Sequence, residues 1–471
     1  MTKRHLLAAA AAALALPAAA AQAQDRLPPA LTATIDPKVA QLRDAALDDT
    51  LAYDITRGLT TEIGPRLAGT AAEARAREWA VKRLKALGFE NVHIETYRMP
   101  VWVRGAETGE VVAPYMQPLR LTALGNSGAT PAAGLTAPVV YFRSFADLVA
   151  APQGSLTGKI AFVSNAMRPT QDGSGYGQYG MARFAGPNLA AKKGAAAIVI
   201  RSIGTDHSRA PHAGVTNFDE GVEPIPAAAL SVADAENLAR MVESADDPVM
   251  LHLTLTPRRT GMHESGNVIA EVPGTDPDAG IVLIGGHLDS WDLGTGAIDD
   301  ASGLAITTAA AKRILDAGGA RRTIRVVWFG AEEVGGFGGE AYARAHGDDR
   351  HVVAAESDFG ADRIWRVQTN LPDGAKAVGD RLARALAPLG IVRGDGVAGD
   401  GADIGPILRG GVAAVDLNQS GLRYFDWHHT PEDVLDRVDP EQLQQNVAAW
   451  TAMLAVIANA PEPIGGVSRD K

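Results

Sequence analysis

Residues 281–303 read IVLIGGHLDSWDLGTGAIDDASG, and the architecture turns on how that stretch is read. Its first four residues form an apolar, strand-like run, and residues 304–315 continue at helical spacing. Between the two lie His287, Asp289, Asp292, Asp299 and Asp300. One imidazole and four carboxylates thus crowd the carboxyl end of a strand and the start of the next helix. In open α/β sheets that edge is where ligands bind. Imidazole plus carboxylate is also a donor set that suits Zn²⁺ and similar divalent ions. An Asp-Asp pair alone would mark a solvated loop; His-x-Asp and Asp-Asp between such elements do not.

Downstream the same alternation repeats. Strands are predicted at 281–285, 323–329, 352–356 and 412–417, with helices at 301–317, 338–346, 375–388 and 440–458. This pattern predicts an α/β fold with a doubly wound, mostly parallel sheet. Upstream, residues 38–90 read as helical, and the helix at 72–87 is closed by Gly88. Residues 92–97 then alternate like a strand. Residues 115–262 differ in texture, with short β-rich runs at 139–142, 159–163 and 195–200 and helices at 188–193 and 231–241. We therefore expect a discontinuous main domain, 24–114 and 263–465, interrupted by a β-rich insertion at 115–262.

At 471 residues the chain exceeds one ordinary core, and 46% hydrophobic with 21% charged residues is the balance of a globular protein. Lys3-Arg4, an apolar run at 6–17 and Ala21-Gln22-Ala23 form a signal peptide, with cleavage expected after Ala23. The mature protein is then exported, periplasmic or secreted, with no membrane anchor. With no cysteine, no disulfide forms and any metal site must use His, Asp and Glu. The net charge of −11 becomes more negative once Lys3 and Arg4 are removed, which argues against nucleic acid as a partner.

Three further clusters follow strand-like runs. VVWFG at 326–330 leads into Glu332-Glu333, and VVAA at 352–355 leads into Glu356-Ser357-Asp358. The run at 412–417 precedes Tyr424-Phe425-Asp426-Trp427-His428-His429-Thr430. Singly, each reads as a solvated surface feature. In one doubly wound sheet, however, successive strand ends converge on one edge. Several carboxylates cannot share a dry cleft without a compensating cation. A pair of divalent ions bridged by a carboxylate resolves that repulsion.

In that order, His-x-Asp, Asp-Asp before Ser-Gly, Glu-Glu, Asp and His-Thr-x-x-Asp, the segments resemble peptidase family M28, the dinuclear zinc exopeptidases. The likeness spans nearly the whole mature chain, and MPVWVRG at 99–105 is similar to a carboxypeptidase branch of the family. The resemblance implies two Zn²⁺ per chain. His287 and Asp358 would hold one, Glu333 and His429 the other, and Asp299 would bridge them. It implies Glu332 as the general base and Asp289 as the residue that orients His287. His428, Asp403, Tyr424 and Trp427 are candidate substrate contacts. That branch carries an extra His two positions after the ligand His, where this chain has Pro431.

Arg66 reads as structural, and His207 and His212 as loop residues able to reach over the cleft. The insertion resembles a protease-associated domain, in relatives a cover for the active site. The activity implied is removal of terminal residues from short peptides, with a homodimer possible. Two other classes remain open: a non-catalytic binding protein on the same scaffold, and a single-zinc glutaminyl cyclase-like acyltransferase.

Overall fold

The computed structural model describes residues 34–399 and 401–467, so the leader expected at 1–23 lies outside the described residues. Three helices open the described chain, α1 (Pro37–Ala45), α2 (Leu51–Gly58) and α3 (Ala71–Ala86). The Thr70 hydroxyl starts α3 by accepting the Glu73 N–H. Gly88 follows its end at φ 86°, a conformation that only glycine adopts without penalty. The long strand β1 (Glu90–Val103) leads to β2 (Glu107–Ala113), β3 (Gln117–Leu119), β4 (Leu121–Ala123) and β5 (Leu135–Phe142).

Next come α4 (Phe145–Ala150), β6 (Ile160–Val163), α5 (Tyr176–Phe184), α6 (Gly186–Lys192), β7 (Ala197–Arg201), β8 (Ala227–Leu230), α7 (Val232–Ser244) and β9 (Met250–Leu255). β10 (Arg258–Val272) returns to β1. Beyond it lie β11 (Ile281–His287), α8 (Ser302–Asp316), β12 (Thr323–Phe329), α9 (Phe337–His346), β13 (His351–Glu356) and β14 (Ile364–Asn370). The chain ends with α10 (Lys376–Leu386), β15 (Val392–Arg393), α11 (Gly405–Leu408), β16 (Ala413–Gln419), α12 (Tyr424–Trp427) and α13 (Pro440–Ile457).

One sheet has the order β1-β10-β12-β11-β13-β16-β14-β15. Its four central strands, β12, β11, β13 and β16, are parallel, as the alternating sequence pattern requires. Both faces are buried. Val282, Ile284, Val326, Trp328 and Val353 pack with Leu304, Trp450 and Leu454 of α8 and α13, while Leu283, Val327, Phe329 and Ala354 pack with Tyr342, Ile407 and Leu408. Each such aliphatic side chain contributes roughly 1.5–3 kcal/mol relative to exposure. The sheet is mostly parallel, as expected, and its antiparallel pairings lie at the flanks: β10 with both β1 and β12, and β14 with β16. The parallel centre is thus bounded by strands that turn back on their neighbours.

The second sheet, β3-β2-β9-β5-β6-β7-β8-β4, is built from the inserted segment. Its limits shift from those read in the sequence. β2, expected with the main domain, pairs with β3 and β9 of the second sheet, and the start of β10, expected in the insertion, pairs with β1 of the first. Two residues of the opening stretch fasten the sheets together. Trp291 is buried in the second sheet's core with Trp102 and Leu121. Asp292 accepts from Arg104 Nε at 3.0 Å and Nη2 at 2.8 Å, while Nη1 of the same guanidinium donates to the Ala123 carbonyl of β4 at 2.6 Å. No helix among the described residues is long and apolar enough to cross a membrane.

Candidate metal centre

Parallel pairing brings three strand ends to one edge. His287 closes β11 opposite Phe329 of β12, and Gly285 lies opposite Glu356 of β13. Glu332 and Glu333 follow β12, and Asp358 follows β13, so the chain leaves each strand directly into the same cleft. His429 enters from the loop after α12, at φ 64°, a left-handed conformation uncommon for a non-glycine residue.

Asp299 stands at the centre. Its Oδ1 is 2.9 Å from His287 Nε2 and its Oδ2 is 3.2 Å from His429 Nε2, so each oxygen faces a different imidazole. Asp358 Oδ1 lies 3.4 Å from His287 Nε2, and Glu333 Oε2 lies 2.8 Å from His429 Nε2. Both imidazoles are anchored from behind. His287 Nδ1 is 3.0 Å from the Asp289 carbonyl and His429 Nδ1 is 3.2 Å from the Ala213 carbonyl. A carbonyl only accepts, so each Nδ1 carries a hydrogen, and each Nε2 is the ring atom that faces the carboxylate cluster. That is how a metal-ligating histidine is oriented.

The charge balance calls for cations. Asp299 Oδ2 and Glu333 Oε1 are buried without a hydrogen-bond partner. Burial pushes the Glu332, Glu333 and Asp358 carboxyls above the usual carboxylate range, against the opposing pull of His287 on Glu332 and Asp358 and of His429 on Glu333. Burial alone would depress His287 and His429. The carboxylates, Asp358 for His287 and Glu333 for His429 foremost, outweigh it and hold both well above the usual imidazole range. Cations in the cleft would relieve both shifts. The donor set of His, Asp and Glu without thiolate fits Zn²⁺.

Adjacent residues separate by contact. His428 stacks on His429 with ring centroids 3.5 Å apart, but its Nε2 approaches Asp299 Oδ2 only to 3.5 Å and its Nδ1 has no partner. Burial, followed by the His429 charge, keeps it well below the usual imidazole range. Asp300 turns away from the cleft: Oδ2 accepts the His287 N–H and Oδ1 the Gly303 N–H, each at 3.1 Å. Asp289 orients His287 through its backbone carbonyl. Its carboxylate, expected in that role, is 3.7 Å from Nδ1 and instead accepts the Glu332 N–H at 3.0 Å. Arg66 is fully buried and donates to the Leu288, Thr295 and Gly296 carbonyls, which holds the 288–296 loop in shape.

A cavity of about 380 Å³ lies over the cluster, lined by Asp299, Glu332, Glu333, Asp358 and His429, with Tyr424 and His428 among its walls. Two expected substrate contacts are not there. Trp427 lies instead between Arg423 and Arg437, 5.2 and 5.3 Å from their guanidinium carbons, and lines a different, outer cavity. Asp403 is buried with both carboxylate oxygens unpartnered and lines neither cavity that flanks Asp358. Tyr176, Arg183, Phe184 and Val215 of the insertion complete the wall, and none was singled out in the sequence. A lone Arg at the end of a helix carries no motif. Only the fold brings Arg183 Nη1 to 3.4 Å from His429 Nδ1.

Residues 267–454 match the model of peptidase family M28. Carboxypeptidase Q of Bos taurus is 34% identical over 421 residues, 87% of this chain and 86% of its own. The crystal structure of a peptidase M28 precursor from Shewanella amazonensis is 46% identical, with a TM-score of 0.89 over 92% of this chain and 99% of that one. A zinc aminopeptidase from Bacillus subtilis shares the fold at 23% identity, with a TM-score of 0.63 over 87% of this chain and 95% of its own.

Proposed function

The chain belongs to peptidase family M28, and we propose that it is an exported dinuclear zinc exopeptidase that cleaves the terminal peptide bond of dipeptides or short peptides. The observation that carries this reading is Asp299, whose two oxygens each face a separate imidazole inside a buried carboxylate cluster. His287 and Asp358 would hold one ion, Glu333 and His429 the other, with Asp299 shared between them. When bound, the pair would supply Lewis acidity for the scissile carbonyl and lower the pKa of water at the site.

The chain's own residues account for the proton movements. Glu332 lies in the cavity wall beside this cluster, and its N–H is tied to Asp289 Oδ1 at 3.0 Å. Set in that wall, its carboxylate is the group placed to take a proton from the attacking water. As the water oxygen bonds to the carbonyl carbon and the C–N bond breaks, that proton passes from Glu332 to the departing amine. The small, walled cavity favours dipeptides and other short peptides over long chains. The inserted sheet acts as a protease-associated cover, since its α5 supplies Tyr176, Arg183 and Phe184 to the wall. Export rests on the leader at 1–23.

Glu332→Gln is the direct test. The variant should retain both zinc ions yet lose roughly 10²–10⁴-fold in kcat on dipeptides. Near-normal turnover would remove Glu332 from this role. A panel of dipeptides with blocked amino or blocked carboxyl termini then assigns the end that is recognised.

A further inference from the structure

Residues 205–213 of the inserted segment close on residues 425–429 of the main domain through a run of hydrogen bonds. Thr205 donates its N–H to the Phe425 carbonyl at 3.1 Å and its hydroxyl to Asp426 at 2.6 Å. Ala213 donates its N–H to the His429 carbonyl at 2.9 Å, and its own carbonyl accepts from His429 Nδ1 at 3.2 Å. Between these contacts His212 Nδ1 lies 2.7 Å from the His428 carbonyl. The backbone on both sides of the His429 ring, and the ring's outer nitrogen, are therefore held by the inserted segment and not by the main sheet.

His212 is built into this position. It is 1% exposed, and its Nδ1 must donate because a carbonyl only accepts. Its Nε2 is 2.9 Å from Asp206 Oδ1, while Asp206 Oδ2 accepts from the Ser208 N–H at 2.7 Å and hydroxyl at 2.6 Å. The ring lies flush on Gly204, where an added Cβ would fall 2.3 Å from it. Its own N–H bonds to Ser202 Oγ at 2.9 Å. Arg183 Nη1 adds a bond to the Ala213 carbonyl at 3.3 Å. His429 itself has φ 64°, a conformation that persists in a non-glycine residue only when its surroundings impose it.

We infer that the 205–213 loop, anchored by His212 and Asp206, is the positioning element for His429, so that the inserted sheet sets the affinity of the ion held by Glu333 and His429. The inference rests on the two-zinc reading above. His212 touches no ligand side chain. It acts through the backbone of the residue before His429 and through the Ala213 carbonyl beside it. The other ion, held by His287 and Asp358, has its imidazole anchored inside the main domain and owes nothing to this loop.

Equilibrium dialysis of the full chain against buffered zinc tests this. The wild type should bind two ions tightly. His212→Ala should keep one at wild-type affinity and weaken the other about 10–100-fold, the usual cost of losing an outer-shell partner. His212→Asn, which keeps an amide donor toward the His428 carbonyl, should recover much of the loss. Asp206→Ala should move the same ion in the same direction by less, and serves if His212→Ala does not fold. Two ions at wild-type affinity in these variants, or equal weakening of both, would overturn the inference. A wild type that binds no zinc would instead remove the two-zinc reading itself.

Discussion

At Gly286 and Gly303 the missing side chain is what lets Asp300 stand behind His287. A Cβ at position 286 would lie 2.2 Å from Asp300 Oδ2 and 2.8 Å from the Ser357 carbonyl. At position 303 it would lie 1.9 Å from that carbonyl and 2.2 Å from Asp300 Oδ1. Backbone cannot yield as a flexible side chain can. Gly303→Ala should therefore destabilise the chain by about 1–3 kcal/mol and weaken zinc binding at His287, measured by Tm and by metal content. A wild-type Tm would show that the Ser357 carbonyl has room to move. The Asp-Asp-x-Ser-Gly spacing in the sequence carries this constraint, but its meaning emerges only when β13 is laid beside β11. The same is true of Asp292, grouped in sequence with the metal-suited carboxylates, and of its neighbour Trp291, which packs into the second sheet's core. Trp427 shows the converse: a pocket aromatic by its neighbours in sequence, it is turned by α12 onto two guanidinium groups outside.

Strands buried on both faces were legible because their apolar runs are continuous, as in β11, β12 and β13. β10 was not. Its first seven residues are exposed, and their polar run has no alternation to mark a strand. Only pairing with β1 makes it one. β13 also carries an acid-sensitive residue at its start. His351 is 7% exposed, with Nδ1 3.1 Å from the Asp349 carbonyl and Nε2 2.8 Å from the Tyr342 hydroxyl. The first contact makes Nδ1 the donor and leaves Nε2 to accept. Burial, then the Arg325 charge, pushes this histidine down to about 4. Above the unfolded value near 6.5 it is neutral in both states, and its full contribution to stability is present. As pH falls from about 6.5 to about 4, the unfolded chain takes up a proton that the folded chain refuses. Stability should drop by as much as about 3 kcal/mol across that window. His351→Gln should flatten that part of the pH profile in urea unfolding; an unchanged acid slope would place the loss elsewhere.

Across the molecule, the convergence of three strand ends and one loop was readable from the order of five short motifs. No periodicity reveals how the second sheet meets them. Its loop at 205–213 and helix α5 reach His429 through backbone carbonyls and a lone arginine, groups that leave no trace in a motif. The site is thus composite: the first sheet supplies every candidate ligand, and the second supplies part of the wall and the support behind one imidazole. In the function proposed above, the buried excess of carboxylate at this site is balanced by two cations that hydrolysis requires. Dialysis of the purified chain against a chelator, followed by zinc titration with dipeptide hydrolysis as the readout, tests that claim most directly. Hydrolysis should vanish on removal and return in full as zinc approaches two per chain. Undiminished hydrolysis by the metal-free chain, or saturation at a single ion, would contradict it.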